Sequence, residues 1–116
     1  MSGIVFFATT ALEDLVDFYV ETIGASIWLE QPDCTIFRYD NLLFGFCERE
    51  TADTEGVLTF VSKTREGVDE AYETLADRAD GAPRENERYR IYQFFAEDPE
   101  GRTLEFQAFL HETDDI

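Results

Sequence analysis

The sequence predicts an α+β fold of two tandem βαβββ modules, forming a cupped mixed sheet with the helices on the outside. Three observations predict it. The chain matches itself without gaps at an offset of 53 residues, Gly3 onto Gly56. Each copy opens with an apolar run followed by a helix-like stretch ending in glycine, and each helix is followed by three further β-rich runs. Because more than two runs lie between the helices, a ferredoxin-like sandwich, which places two strands there, is disfavoured.

In the self-match, GIVFFATTALEDLVDFY lies over GVLTFVSKTREGVDEAY, with Gly3/Gly56, Phe7/Phe60, Glu13/Glu66 and Tyr19/Tyr72 identical. The opening strands are Ile4 to Ala8 and Val57 to Val61. In the first helix, Thr10-Ala11-Leu12-Glu13 reads as a capping box, Leu12, Leu15, Val16, Tyr19 and Val20 form the apolar face, and Gly24 is the stop. Val68, Ala71, Tyr72, Leu75 and Ala79 share a face in the second, and Gly81 follows. The later strands of module one (about residues 3–50) are Ser26 to Glu30, Cys34 to Tyr39 and Leu42 to Cys47. Those of module two (about 56–110) are a weak one near Pro83 to Asn86, then Arg90 to Ala96 and Arg102 to Leu110.

Asp40-Asn41 is a two-residue hairpin signal. It sets Tyr39 opposite Leu42, Phe37 opposite Phe44, and Cys34 opposite Cys47 at a non-hydrogen-bonded position close enough for a disulfide. A reducing cytosol would keep both as thiols, and with no basic neighbour visible to lower their pKa they read as buried core cysteines. Asp98-Pro99-Glu100-Gly101 is the corresponding turn of the second half.

Length and composition bound what such a chain can do. Its 116 residues, 44% hydrophobic and 15% aromatic, fit one domain, residues 1–116, with a sizeable core. Twenty-six acids against nine bases give a charge of −17, so nucleic acid and anionic membranes are excluded as partners. Lys63 is the only lysine. Extreme acidity with so little lysine predicts a protein of a halophilic host, solvated in concentrated salt. No apolar run approaches the roughly 18 residues of a membrane span, and the start, MSGIVFFATT, lacks a signal peptide's basic region. A soluble, cytoplasmic protein is expected.

Leu12 to Gly24 (LEDLVDFYVETIG) and Ala96 to Phe109 (AEDPEGRTLEFQAF) resemble the first helix and the closing turn and strand of the vicinal oxygen chelate superfamily. That superfamily includes glyoxalase I, extradiol dioxygenases and the bleomycin-resistance binding proteins. The likeness covers nearly the whole chain. It implies a ligand or metal site in a cup between the modules, with metal ligands near the start of each first strand and on each last strand. Carried over, these positions fall on Ile4, Val57, Glu105 and, aligning Leu43-Phe44 with Leu104-Glu105, on Phe44. Three of the four are apolar, and one carboxylate cannot hold a divalent cation against water, so no cofactor is expected. His111, the only histidine, lies beyond the last strand and reads as solvent-exposed.

Strand parity then gives the cup lining that the resemblance implies. Phe6 shares a face with Ile4, Phe46 with Phe44, Thr59 with Val57, and Thr103 and Gln107 with Glu105. Trp28, Phe37 and Tyr92 are added from neighbouring strands. An aromatic hollow with a few polar groups suits a small molecule, although the same aromatics could pack a core or a dimer interface. Glu105 could act as a general base or anchor a cation, or be a polar strand residue satisfied by Arg38 or Arg90.

The expected function is metal-free binding of a hydrophobic or aromatic small molecule, comparable to the bleomycin-resistance proteins. A metal-dependent glyoxalase-type lyase or dioxygenase with a divergent site, and a dimeric scaffold with a closed cup, are the alternatives. A homodimer is expected, because members of this superfamily commonly close such open faces by pairing two chains.

Overall fold

The computed structural model describes residues 3–116. The chain divides into two compact units, one running to Thr54 and including Pro99–Gly101, the other comprising Glu55–Asp98 and Arg102–Ile116. Each carries one four-stranded mixed sheet and one main helix, and each follows the expected βαβββ order. No helix among the described residues is long and apolar enough to cross a membrane.

The first unit holds β1 (Val5–Thr9), α1 (Leu12–Asp17), β2 (Ser26–Gln31), β3 (Cys34–Tyr39) and β4 (Leu42–Glu48), in sheet order β1-β4-β3-β2. The hairpin register is the one that Asp40-Asn41 predicts, with Phe37 opposite Phe44 and Cys34 opposite Cys47. Asp40 adopts φ 50° to make the turn. After Asp17 the helix widens into a π-helical stretch, Phe18–Ile23, and stops at Gly24, whose φ of 90° is the left-handed conformation glycine adopts without a steric penalty.

The start of α1 differs from the capping box. Ala11 is the N-cap and supplies no side-chain bond. The free N–H groups are met from farther away: Ala11 donates to the Thr9 hydroxyl, Leu12 to the Glu48 carboxylate and Thr10 to Glu100. Carboxylates at this positive end of the helix are favourable. The core forms around Tyr19, fully buried, with the rings of Phe18, Phe37, Phe44 and Phe46 all within 5.8 Å. Burying rings of this size contributes about 1.5–3 kcal/mol each, which explains why a short helix suffices to cover this sheet.

Cys34 and Cys47 form a disulfide, not the expected pair of thiols. Glu48 N–H donates to the Asp33 carbonyl next to them, so the cysteines occupy the closer, non-hydrogen-bonded kind of pair. Their Cα atoms stand 4.1 Å apart, within bridging reach.

The second unit holds β5 (Val57–Val61), α2 (Arg65–Leu75), β6 (Arg84–Asn86), β7 (Ile91–Glu97) and β8 (Thr103–Phe109), in order β5-β8-β7-β6. Thr64 caps α2 by accepting from Gly67 N–H. The helix passes through a 3-10 turn, Ala76–Arg78, so Ala79 leaves the expected helical face and bridges to Ala96. Val68, Leu75, Leu58, Phe60, Phe94, Leu104 and Phe106 are buried and form the core between α2 and the sheet. At the turn between β7 and β8, Asp98 and Arg102 form a fully buried ion pair, 2.6 Å apart, and Asp98 also accepts from the Arg102 backbone N–H.

Candidate functional site

Strand alternation gives the second sheet a face turned away from α2. On β8, Leu104, Phe106 and Ala108 are buried, while Thr103, Glu105 and Gln107 between them are half-buried on the opposite face. Register carries that face across the sheet. Phe95 lies opposite Glu105, Gln93 opposite Gln107, and Ile91 opposite Phe109. Arg84 and Asn86 on β6 oppose Gln93 and Ile91, and Thr59 on β5 lies beside Glu105.

These residues line an open hollow of about 770 Å³. Ile91, Phe95, Phe109 and Tyr89 supply apolar surface, and Arg84, Asn86, Gln93, Glu105 and Gln107 the polar groups. A hydrogen-bond chain fixes the polar part. Asn86 Nδ2 donates to Gln93 Oε1 at 3.0 Å, and Gln93 Nε2 donates to Glu105 Oε2. Thr59 Oγ1 donates to the other carboxylate oxygen at 2.8 Å. Both oxygens of Glu105 therefore accept from uncharged donors. The expected arginine partners are not used, and among the described residues no cationic side chain pairs with Glu105.

The first unit has a different chemistry at the matching positions. Val5 pairs with Phe44 while its counterpart Leu58 pairs with Leu104, so Phe44 corresponds to Leu104 and Gly45 to Glu105. The expected match of Phe44 with Glu105 was one residue out of register, which turns every side chain of β4 to the wrong face. Phe37, Phe44 and Phe46 are accordingly not on a ligand face: all three are completely buried against Tyr19. Phe6, counterpart of Thr59, does face away from the helix and is exposed. It borders a smaller hollow of about 360 Å³ with Gln31, the disulfide, Arg49 and Asp53.

Trp28 is the extra residue of a bulge on edge strand β2, between the pairs Ile27–Phe37 and Leu29–Ile36, and lines neither hollow. Tyr92 is a further correction. It sits on the helix side of β7, where its hydroxyl donates to Asp69 at 2.6 Å and the Arg65 guanidinium lies 4.7 Å from the ring centre. The bond to Asp69 raises its pKa above a tyrosine's ordinary value, with desolvation adding to the shift. Thr103 shares the face of Glu105 without lining the hollow, and His111 is exposed, its Nδ1 against the Glu112 carbonyl. Thr59 and Gln107 are thus the expected residues brought together with Glu105.

Gln93, Asn86, Arg84, Tyr89, Ile91, Phe95 and Phe109 were not anticipated. The signal for three of them was the alternation of Ile91, Gln93 and Phe95 with Tyr92, Phe94 and Ala96, where a lone glutamine interrupts an apolar run.

The sequence matches no protein-family model and no curated protein. Solved structures do match. A glyoxalase/bleomycin resistance protein/dioxygenase from Nocardioides aligns over 100% of this chain and 87% of its own, at 16% identity and TM-score 0.76. A family enzyme of the same description from Burkholderia phytofirmans aligns over 92% and 97%, at 21% identity and TM-score 0.78. The lactoylglutathione lyase of Agrobacterium tumefaciens aligns over 93% and 92%, at 15% and 0.77. The chain has the fold of these vicinal oxygen chelate proteins, as the sequence resemblance implied.

Proposed function

We propose that the open face of the second sheet binds a small organic molecule without a metal ion. The observation that carries the reading is Glu105: a carboxylate on the floor of a 770 Å³ hollow, held by Thr59 and Gln93 and walled by Phe95, Phe109 and Ile91. Apolar walls with a few convergent polar groups are the usual make-up of a small-molecule site.

The donor set argues against a divalent cation. Such ions need several oxygen or nitrogen ligands. Ile4, Val57 and Gly45, at the other positions the superfamily would use, offer no side-chain donor, and Glu105 is a single carboxylate already accepting two hydrogen bonds. The reading is therefore a binding protein and not a metal-dependent lyase or dioxygenase.

Thermal-shift screening of a panel of small aromatic compounds tests it. A ligand of the native state at one hundred times its Kd adds about 2.7 kcal/mol of stability, so hits should raise the melting temperature of the wild type and raise that of Glu105→Gln less. A panel with no such hit, or a melting temperature that chelator lowers, overturns it.

The homodimer remains part of the proposal. Ile27, Trp28 and Leu29 are exposed together on edge strand β2, a surface a second chain would cover.

A further inference from the structure

We propose that the hollow on the second sheet takes a zwitterion: a small amino compound with an ammonium group, a carboxylate and an apolar or aromatic side group. Glu105 and Arg84 are its two counter-ions. This rests on the binding reading above and adds the ligand class.

Three charged residues line the same hollow: Glu85 is paired with Arg65, while Arg84 and Glu105, of opposite charge, do not pair with each other. Glu105 receives hydrogen bonds only from Thr59 and Gln93, both uncharged. Arg84 lies opposite Gln93, which places it on the face of Glu105, and it makes no ion pair among the described residues. Two other arginines of the unit are ion-paired, Arg65 with Glu85 and Arg102 with Asp98.

The separation fits a ligand, not a direct bridge. Arg84 and Glu105 stand two strands and two residues apart in the register, roughly 12 Å between Cα atoms at ordinary sheet spacing. Two extended side chains and one small polar head group span that distance. Gln107 lies on the same face, across Gln93 from Arg84 and two residues along β8 from Glu105, with a side-chain amide that makes no hydrogen bond among the described residues and is free to meet the head group. Phe95, Phe109 and Tyr89 remain for the side group, and an ammonium gains from aromatic faces as well.

A ligand with only one charge meets this site poorly. A simple amine satisfies Glu105 but leaves Arg84 without a partner. A simple carboxylate satisfies Arg84 but approaches Glu105 and a chain of charge −17.

Isothermal titration at one fixed ionic strength with L-phenylalanine, phenethylamine and 3-phenylpropionate tests the class. We expect phenylalanine to bind about tenfold or more tightly than either analogue, the scale of one charge-assisted hydrogen bond. Arg84→Gln should erase its advantage over phenethylamine, and Glu105→Gln its advantage over phenylpropionate. Lys63→Gln makes the same charge change as Arg84→Gln on an exposed loop and should leave all three affinities unchanged. Phenethylamine binding as tightly as phenylalanine would overturn the zwitterion while leaving small-molecule binding intact. So would failure of all three compounds when other aromatics stabilise the protein. Failure of these and of the whole aromatic panel would overturn both.

Discussion

Phe6 lies across Gly45: a Cβ built on the glycine would stand 2.8 Å from ring atom Cε1 and 2.9 Å from Cδ1. In the second unit the matching positions carry Thr59 and Glu105, joined by a hydrogen bond at 2.8 Å. One module thus uses its parallel strand pair to stack a ring on bare backbone, and the other to hold a carboxylate.

This geometry makes Gly45 sensitive. Gly45→Ala must move Phe6, and the Thr35 carbonyl at 3.1 Å limits the escape. Overpacking of this kind costs about 1–3 kcal/mol. Urea denaturation should show that loss, and Gly45→Ala combined with Phe6→Ala should recover part of it. An unchanged midpoint for the single variant would contradict the contact.

The buried pair of Asp98 and Arg102 should matter more. Replacing Asp98 by Asn keeps an acceptor for the Arg102 backbone but removes the carboxylate charge that ion-pairs with the guanidinium, 1% exposed. Breaking a buried pair from one side costs about 3–5 kcal/mol. Denaturant melts of Asp98→Asn should show a loss on that scale; a loss below about 1 kcal/mol, typical of a surface pair, would contradict the burial.

Much of this was legible before the structure. Asp40-Asn41 set the β3–β4 register because a two-residue loop leaves no freedom in pairing, and the self-match located both βαβββ units. Thr59, Gln107 and Glu105 could be placed on one face because β5 and β8 follow the repeat without a shift. Phe44 and Phe46 were misplaced because no hairpin links β1 to β4, so nothing local fixed that parallel register. The same limit hid the first turn of α1, whose N–H groups are served by Glu48 and Glu100, 36 and 90 residues away from the groups they receive. Gln93 and Asn86 belong to a hydrogen-bond chain across β6, β7 and β8, and such chains have no sequence period.

Tyr92 supplies a pH test. Its folded-state pKa is raised because the hydroxyl donates to Asp69. The stability this bond contributes is whole below the ordinary tyrosine pKa and is lost as pH rises through the higher folded value. Spectroscopic titration of the five tyrosines should therefore show one ionising later than in Tyr92→Phe. Identical titration curves, scaled for one fewer phenol, would contradict the Tyr92–Asp69 bond.

Charge and the exposed β2 edge lead to an assembly test. At −17, two chains repel in dilute buffer and should pair once molar salt screens them. Light scattering in molar potassium chloride should give twice the chain mass, with a higher melting temperature than in dilute buffer, and Trp28→Ser should weaken the pairing. The mass of one chain at high salt would contradict it.

The measurement closest to the central claim is nuclear magnetic resonance of the labelled protein, following side-chain amide signals during titration with an aromatic ligand from the screening panel. Asn86, Gln93 and Gln107 should shift together with the backbone signals of Phe95 and Glu105, and Glu105→Gln should weaken the response. Shifts clustered instead around Gln31 and Phe6, or no saturable shift at any amide of β7 and β8, would contradict a binding site built on Glu105.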